Sequence, residues 1–345
     1  KTSNPRWSRR PRPKIAKHYS AYLRVSEDFV SINQILAPVQ DELQQVEARL
    51  RQAVQVEYVP LANVFELLIG SGGKRIRPAL SILATKFHPT APEDMYTLAI
   101  STELVHAATL IHDDLIDKSA VRRGSPTINS RWSGTATVLA GDFLLARAAD
   151  IAASIEDFRV MRIFARTLMT ICEGEIRQDF ARAHWPPDRA EYYRHIESKT
   201  ASLFVAATEG GAILSGAPEE EVAALRAYGR NLGMAFQMVD DILDFTADEN
   251  ELGKPVGSDL RQGTFTLPVF YYLEQDAHAQ ALGDFASVDI ERLIDAIRNS
   301  PAIAAAQAEA QRAAQAARDA LAIFADNIYR RALFDLANYV IERTL

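Results

Sequence analysis

Residues that break helices are scarce in this chain, and this scarcity restricts the fold more than any other feature of the sequence. Only 16 glycines and 15 prolines occur among 345 residues, and alanine-rich stretches recur between them. Alanine is the strongest helix former, and the apolar/polar alternation of half-buried strands is hard to find here. With 48% hydrophobic and 24% charged residues, the composition suits a globular protein with a large core. We therefore predict an all-α fold.

Prolines and glycine-rich breaks divide the chain into predicted helices. An apolar stripe at helical spacing over 39–54 indicates an early helix, and a long helix is expected from about 93 to 117. Polar, glycine-containing segments at 118–133 and 247–263 are predicted loops. No linker or repeat interrupts the pattern, so residues 21–345 are predicted to form one domain. Further helices are predicted at 61–69, 78–87, 134–154, 157–182, 189–214 and 218–245, and after Ser300-Pro301.

The first 17 residues differ in charge from the rest of the chain. They contain seven lysines or arginines and no acidic residue, whereas the whole chain has 38 basic and 45 acidic residues and a net charge of −7. The alternatives are the remnant of a targeting peptide, a contact for an anionic surface and a disordered tail. Three prolines argue against a transit helix and favour the tail. We predict a flexible basic arm over residues 1–20 and no nucleic-acid partner.

The cysteine content and hydropathy bear on the compartment. Cys172 is the single cysteine of the sequence, so neither a disulfide within the chain nor a cysteine-based zinc site is possible. A reducing compartment, the cytoplasm, is the expectation. No apolar run reaches the roughly 18 residues that span a bilayer, and the most apolar stretch is interrupted by Glu103 and His106. We expect no transmembrane segment.

Two Asp-Asp-x-x-Asp clusters lie in otherwise apolar helical sequence. Within each, the first and last aspartates are four residues apart and share one face of a helix. Most charge runs are solvated faces, but stacked carboxylates in apolar surroundings are costly without a cation. Magnesium is the leading candidate, because it prefers oxygen ligands and bridges carboxylates to phosphates. The clusters are Asp113, Asp114 and Asp117, and Asp240, Asp241 and Asp244.

Basic groups suited to phosphate accompany the clusters. Lysine and arginine beside a helix N-terminus bind phosphate oxygens, and a Gly72-Gly73 turn precedes such a group. His106 lies seven residues before Asp113 and so shares the face of the first cluster. The arrangement indicates a site for two anionic substrates held around metal ions. The basic residues are Lys74, Arg75, Arg77, Arg122, Arg123 and Lys254.

Six motifs of the sequence, taken in order along the chain, resemble those of the polyprenyl synthetases, which are also called trans-isoprenyl diphosphate synthases. The resemblance covers nearly the whole chain from about residue 35 and implies the isoprenoid synthase fold, a single-domain helical bundle around a deep central cavity. It also implies a homodimer. The motifs are GGKRIRP at 72–78, HAATLIHDDLIDKSAVRRGSPT at 106–127, GDFLLARA at 141–148, KTA at 199–201, FQMVDDILDF at 236–245 and GKPVGSDLRQGTFTLP at 253–268.

The resemblance implies a role for each matching residue. Three magnesium ions are expected when substrate is bound. Asp113, Asp117 and Asp240 are the expected ligands, and Asp244 is a further candidate ligand. Asp114, Asp241 and Asp244 are expected to support the ligands. These six aspartates and Lys199 form the expected catalytic set. Isopentenyl diphosphate is expected on Lys74, Arg77, His106 and Arg123. The allylic diphosphate is expected on Arg122, Lys199, Thr200, Gln237 and Lys254.

The family activity is a magnesium-dependent transfer in which an allylic diphosphate ionises, the double bond of isopentenyl diphosphate attacks, and a proton is lost. The growing tail is expected to run from Asp113 back along its helix past Ala108 and Thr109. Short-chain enzymes block this level with an aromatic residue. Because a helical turn is close to one isoprene unit, small residues here predict a product of about C20 or longer. Candidates for the channel floor are Leu144, Ala148 and Phe164.

Two other functions are considered. A class I terpene cyclase shares an aspartate-rich helix and magnesium, but it has an Asn/Ser/Glu pattern in place of the second cluster and no need of GGKRIRP. A non-catalytic subunit of a heteromeric prenyl synthase would use its apolar helix faces as partner surfaces. Such subunits normally lose the aspartate clusters, and both are present here.

Overall fold

The computed structural model describes residues 30–342 except 71, 123–124, 183, 248–254, 276–284 and 286–287. Within this part the chain is almost entirely α-helical, which confirms the predicted fold class. The helices are α1 (Ile32–Ile35), α2 (Gln40–Ala53), α3 (Val59–Gly70), α4 (Ile76–Thr85), α5 (Pro92–Ile116), α6 (Gly134–Ala152), α7 (Phe158–Ala181), α8 (Arg189–Ile196), α9 (Ser202–Leu214), α10 (Glu219–Thr246), α11 (Ser258–Arg261), α12 (Leu267–Gln275), α13 (Ile290–Arg298), α14 (Ala302–Ala320) and α15 (Ile328–Glu342).

Short segments of other structure connect these helices. The predicted loop at 118–133 contains a small antiparallel hairpin of β1 (Val121–Arg122) and β2 (Ser125–Pro126). Single 3-10 turns occupy Ala37–Val39 and Leu321–Ile323. The predicted loop at 247–263 includes α11 at its end.

The apolar pattern explains which helices are central. Nearly every side chain of α4 and α9 is buried. Both helices have apolar residues on all faces, as is expected of helices in the core. Helix α9 packs against α4, α5, α7 and α10. On the outer layers, α6 packs on α5, and the alanine-rich α14 packs on α10 through a stripe of small residues. This arrangement places the two aspartate-bearing helices, α5 and α10, on either side of α9.

Side-chain caps fix where several helices begin. The Ser133 hydroxyl accepts a hydrogen bond from the backbone N–H of Ala136 at the start of α6. Asp157 and Asp188 do the same for α7 and α8. Each cap satisfies a backbone donor that would otherwise lack a partner. Helix α14 begins one residue later than Ser300-Pro301 predicts, at Ala302, whose N–H binds the Ser300 hydroxyl.

Residues from Ile32 onward form one compact unit. The predicted basic arm over residues 1–20 lies outside the described residues, and its boundary stays a prediction. Among the helices that the structure describes, none has the length and apolarity to cross a bilayer.

Candidate active site

Two cavities meet between α5 and α10. Cavity A, of about 840 Å³, is lined by Lys74, Arg77 and His106 among others. Cavity B, of about 590 Å³, is lined by Asp117, Arg182 and neighbouring residues of α7, α8 and α11. Both cavities share one wall, so they form two halves of a single site. The shared residues are Asp114, Arg122, Lys199, Gln237 and Asp240.

Each carboxylate of the first cluster lies next to a different basic side chain. The basic residues come from three separate segments, namely the π-helical turn after α8, the β1 strand and the end of α7. Pairing of this kind reduces the repulsion between stacked carboxylates. The pairs are Lys199 Nζ with Asp113 Oδ1 at 3.4 Å, Arg122 Nε with Asp114 Oδ1 at 2.8 Å, and Arg182 Nη2 with Asp117 Oδ1 at 3.5 Å.

Lys199 occupies the centre of the site. Its Nζ also lies 2.9 Å from Glu175 Oε1 of α7, so it is close to two carboxylates. Burial acts to lower the pKa of Lys199, but Asp113 and Glu175 outweigh it and the pKa is raised. Burial also raises the pKa of Glu175. A lysine that stays charged in this position can bind a phosphate group that enters either cavity.

The aspartates of the second cluster differ in their surroundings. Asp240 lines both cavities. Asp241 is buried, accepts hydrogen bonds from Tyr192 Oη at 2.7 Å and Gln237 Nε2 at 3.0 Å, and has its pKa raised to about 8 by burial. Asp244 is buried, accepts the backbone N–H of Asp259 at 3.2 Å, and lines neither cavity. The structure therefore places Asp244 where it supports the segment before α11.

Lys199 and Thr200 lie in a π-helical turn, Glu197–Ala201, that interrupts the helix predicted at 189–214. Such turns are rare and frequently occur at functional sites. Two glycines allow neighbouring helices to approach this turn closely. A Cβ on Gly174 would lie 2.6 Å from Ser198 Cβ, and a Cβ on Gly233 would lie 2.5 Å from Ala201 Cα. Packing against α7 and α10 thus helps to fix the position of the turn.

Thr200 belongs to a partly buried chain of hydrogen bonds. Its hydroxyl donates to Gln237 Oε1 at 2.6 Å, and the amide of Gln237 donates to Asp241. Three residues predicted at the site are therefore linked through side-chain contacts. A hydrogen-bonded network of this kind restricts the motion of its members.

Cavity A contains three of the four groups predicted for isopentenyl diphosphate. The Lys74 ammonium lies 5.1 Å from the ring centre of Tyr339, and the Arg77 guanidinium lies at the same distance from that of Phe204. Burial lowers the pKa of Arg77, whose Nε has no hydrogen-bond partner among the described residues. A buried donor without a partner is costly, and a phosphate oxygen would satisfy it. His106 also lines this cavity.

Arg75 has a different environment from its two basic neighbours. Its backbone is left-handed, with φ of 46°, and its guanidinium binds Glu47 at 2.9 Å, Glu103 at 2.7 Å and the Ile69 carbonyl at 2.7 Å. With these partners, Arg75 joins α2, α3 and α5 beneath the turn. Lys74 and Arg77 remain the candidate phosphate ligands of this segment.

Several predicted residues fall elsewhere. Arg123 and Lys254 lie outside the described residues. Thr109 lines cavity A, whereas Ala108 is fully buried and lines neither cavity. The candidate floor residues Leu144, Ala148 and Phe164 are buried in the core.

The carboxylate groups of the site are the type of ligand that magnesium prefers. In the described part of the chain, no three carboxylate, imidazole or thiolate groups gather into a preformed metal cage. Magnesium usually takes one or two carboxylates and completes its coordination with water and substrate phosphates. Asp113, Asp117 and Asp240 offer oxygens from two helices around the cavities. The residues present fit a metal that binds together with a diphosphate.

Three site residues were not predicted from the sequence: Glu175, Arg182 and Tyr192. Each belongs to or ends an amphipathic helix, where a charged or phenolic side chain is unremarkable. Their contacts with Lys199, Asp117 and Asp241 arise only when the helices pack.

Comparisons with known proteins identify the family of the chain. The sequence model of the polyprenyl synthetase family matches residues 59–297. Heptaprenyl diphosphate synthase component 2 of Geobacillus stearothermophilus is 40% identical over 307 residues, which cover 88% of this chain and 96% of the relative. The all-trans-nonaprenyl-diphosphate synthase (geranyl-diphosphate specific) of Rhodobacter capsulatus is 35% identical over 318 residues, covering 90% and 97%.

Solved structures give the same result. The heptaprenyl diphosphate synthase of Staphylococcus aureus superimposes with a TM-score of 0.85 at 34% identity, covering 92% of this chain and 99% of the other. A polyprenyl synthase from Caulobacter crescentus, crystallised with calcium and isoprenyl diphosphate, gives a TM-score of 0.85 at 33% identity, covering 91% and 98%. The fold and site define a prenyl transferase, and this chain belongs to the polyprenyl synthetase family.

Proposed function

We propose that this protein condenses isopentenyl diphosphate with an allylic diphosphate, head to tail and in trans, to make a polyprenyl diphosphate of about C20 or longer. The observation that carries the proposal is the shared wall between cavities A and B. There Lys199, Arg122 and Asp240 face both cavities, so two anionic substrates can bind next to each other. A terpene cyclase, which uses one diphosphate, has no use for the basic groups of cavity A.

Different residues bind the two substrates. Lys74, Arg77 and His106 hold isopentenyl diphosphate in cavity A, while Arg122 and Lys199 orient the allylic diphosphate. Asp113, Asp117 and Asp240 are the residues that would hold magnesium, with Asp244 as a support of the second cluster. The chemistry supplied by bound magnesium is neutralisation of the diphosphate leaving group.

The proposed condensation breaks one bond of the allylic diphosphate and forms one bond between the two substrates. The C–O bond of the allylic diphosphate breaks, and the isopentenyl double bond forms a new C–C bond to the allylic carbon. A proton leaves the adjacent carbon for the released diphosphate, restoring a double bond. Thr200 and Gln237 keep the π-helical turn and Asp241 in place while charge develops.

Two features support a long product. The residues one turn before Asp113 are small, and the segment Gln262-Gly263-Thr264 resembles enzymes that make long quinone side chains. The relatives are named for heptaprenyl, octaprenyl and nonaprenyl products.

The single cysteine fits a reducing compartment, and the cytoplasm is the proposed location.

The test of activity supplies labelled isopentenyl diphosphate with dimethylallyl, geranyl or farnesyl diphosphate and magnesium, and separates the extracted products by chain length. We expect labelled products of about C20 or longer from at least one primer, and none without magnesium. The absence of product with every primer would contradict the catalytic proposal.

The proposed assembly is a homodimer. Large apolar side chains are exposed along one face of α7 at helical spacing, and Leu139 of α6 adds to them. An exposed apolar strip of this kind fits a second copy of the chain. The α7 residues, with their exposed fractions, are Phe158 (94%), Met169 (72%), Ile176 (58%) and Phe180 (85%).

The name component 2 of the Geobacillus relative gives the other possibility, a heteromer with a second component. Light scattering on the purified chain, together with the assay above, distinguishes the two. A dimer that makes product alone supports the homodimer. A monomer, or a dimer that makes no product until a second component is added, supports the heteromer.

A further inference from the structure

The pair between Arg182 and Asp117 contains the most exposed carboxylate of the first cluster, because Asp113 and Asp114 are 16% and 10% exposed. Arg182 ends α7 and comes from a segment with no predicted role at the site. Its Nη2 lies 3.5 Å from Asp117 Oδ1, and the two side chains are 28% and 34% exposed. A partly exposed pair at this distance is weak and is easily exchanged for a better partner.

The guanidinium of Arg182 has further hydrogen-bonding capacity. Its Nε is buried and has no hydrogen-bond partner among the described residues. Arginine presents its donors as a planar fork that matches carboxylate and phosphate oxygens. The single long contact with Asp117 uses little of that fork.

Cavity B defines what Arg182 can bind instead. Arg182 lines this cavity together with Lys199 and Arg122, and Asp117 and Asp240 of the two aspartate clusters line it as well. The carboxylates Asp188 and Glu191 also line it, but Arg194 lies 3.6 Å from the first and 2.6 Å from the second. An anion that enters cavity B therefore meets Arg182, Arg122 and Lys199, together with Arg177, which already pairs with Glu173 at 2.8 Å.

We propose that Arg182 is a temporary counter-ion of Asp117 that becomes a ligand of the allylic diphosphate when the metal binds. A divalent cation held by Asp117 would repel the guanidinium of Arg182 and would replace it as the partner of the Asp117 carboxylate. The fork then binds the diphosphate that enters with the metal. This role rests on the proposed function, because it requires Asp117 to hold a metal and cavity B to hold a diphosphate.

This role predicts that removal of Arg182 changes the affinity for metal and the affinity for diphosphate in opposite directions. In the absence of diphosphate, Arg182 competes with the metal for Asp117, so its removal strengthens metal binding. In the presence of metal, Arg182 contributes to the diphosphate site, so its removal weakens diphosphate binding. A residue that only maintained the structure would change both affinities in the same direction or neither.

The test compares Arg182→Gln with wild type, using Mn²⁺ as a paramagnetic substitute for magnesium. Free Mn²⁺ is measured by electron paramagnetic resonance, and inorganic diphosphate is titrated by calorimetry at saturating Mn²⁺. We expect Mn²⁺ alone to bind about threefold more tightly to the variant, and diphosphate to bind about tenfold more weakly. Arg177→Gln is the matched control, because Arg177 lines cavity B from the same helix but pairs with Glu173 at 2.8 Å.

Arg182→Lys provides a second measurement that keeps the charge and removes the fork. It should bind Mn²⁺ alone as wild type does and bind diphosphate more weakly. Unchanged affinities in both Arg182 variants, or changes of the same sign for metal and diphosphate, would overturn the inference. A wild-type protein that binds no diphosphate with Mn²⁺ would instead contradict the proposed function.

Discussion

The hydroxyl of Tyr192 donates a 2.7 Å hydrogen bond to Asp241, and both residues are buried, with exposed fractions of 6% and 3%. The bond joins α8 to the second aspartate cluster on α10. Because Asp240 precedes Asp241 directly, the orientation of Asp241 also restrains the aspartate that lines both cavities. Tyr192 is therefore a positioning residue of the site.

We expect Tyr192→Phe to raise the magnesium concentration needed for half-maximal activity and to lower kcat about tenfold, with little change in KM for isopentenyl diphosphate. The reason is that Asp241 loses one of its two side-chain donors while cavity A is untouched. Steady-state kinetics over a magnesium series measure both effects. Tyr193→Phe is the control, because Tyr193 donates to Glu309 at 2.5 Å and lines neither cavity. Equal kinetics for the two variants would exclude the positioning role.

Gly233→Ala tests the packing of the π-helical turn. The new methyl group would lie 2.5 Å from Ala201 Cα, a backbone atom that cannot move without displacing Lys199 and Thr200. We expect a loss of roughly 1–3 kcal/mol in the free energy of unfolding, together with reduced activity. Urea denaturation measures the first. Gly134→Ala is the control, since its methyl group would have ordinary contact with Leu115 at 3.7 Å, and it should be close to neutral.

On mild acidification, His195 should lower the stability of the protein relative to a variant that lacks this histidine. Burial, with a contribution from Lys199, lowers the pKa of His195 from 6.5 to about 4. The unfolded chain therefore takes up the proton first, so the contribution of His195 to stability is complete above about pH 6.5 and is lost progressively toward pH 4. This group alone accounts for about 2 kcal/mol at pH 5.

Urea denaturation at pH 7.5 and pH 5 measures this loss in wild type and in His195→Gln. The variant should lose less stability between the two pH values. His184→Gln, at an exposed histidine, is the control and should behave as wild type does. A pH dependence in His195→Gln as steep as that of wild type would rule out the assignment.

Ala108→Phe tests the elongation channel. Ala108 is fully buried, and the next residue, Thr109, lines cavity A. A phenyl group at this level should block the growing tail and shorten the product. The product distribution from labelled isopentenyl diphosphate measures the change, and Ala108→Ser serves as a small-volume control. An unchanged product length in the phenylalanine variant would refute the channel assignment.

The sequence predicts well those features that depend on local pattern. The scarcity of breakers gives the all-α fold, and the i, i+4 spacing places Asp113 and Asp117 on one helix face. Proline and capping residues also locate the ends of most helices to within a few residues. Helix α10, for example, is predicted at 218–245 and extends over Glu219–Thr246.

Features that depend on packing are absent from such predictions. The π-helical turn at Glu197–Ala201 has no local pattern of its own, because it forms where Gly174 and Gly233 admit neighbouring helices. The roles of Tyr192 and Arg182 arise from contacts with residues more than forty positions away. The burial of Asp244 against the Asp259 amide likewise follows from tertiary structure rather than from its place in the motif.

We expect the two aspartate clusters to act together on one diphosphate. The most direct measurement is the rate of transfer of labelled isopentenyl diphosphate at saturating magnesium by Asp113→Asn and Asp240→Asn. Asp150→Asn is the control, because Asp150 has a side chain that is 71% exposed and pairs with Arg147 on α6. We expect each cluster variant to lose at least about 100-fold in kcat while remaining folded, and the control to match wild type. If either cluster variant retained a rate within about threefold of wild type, the claim would be contradicted.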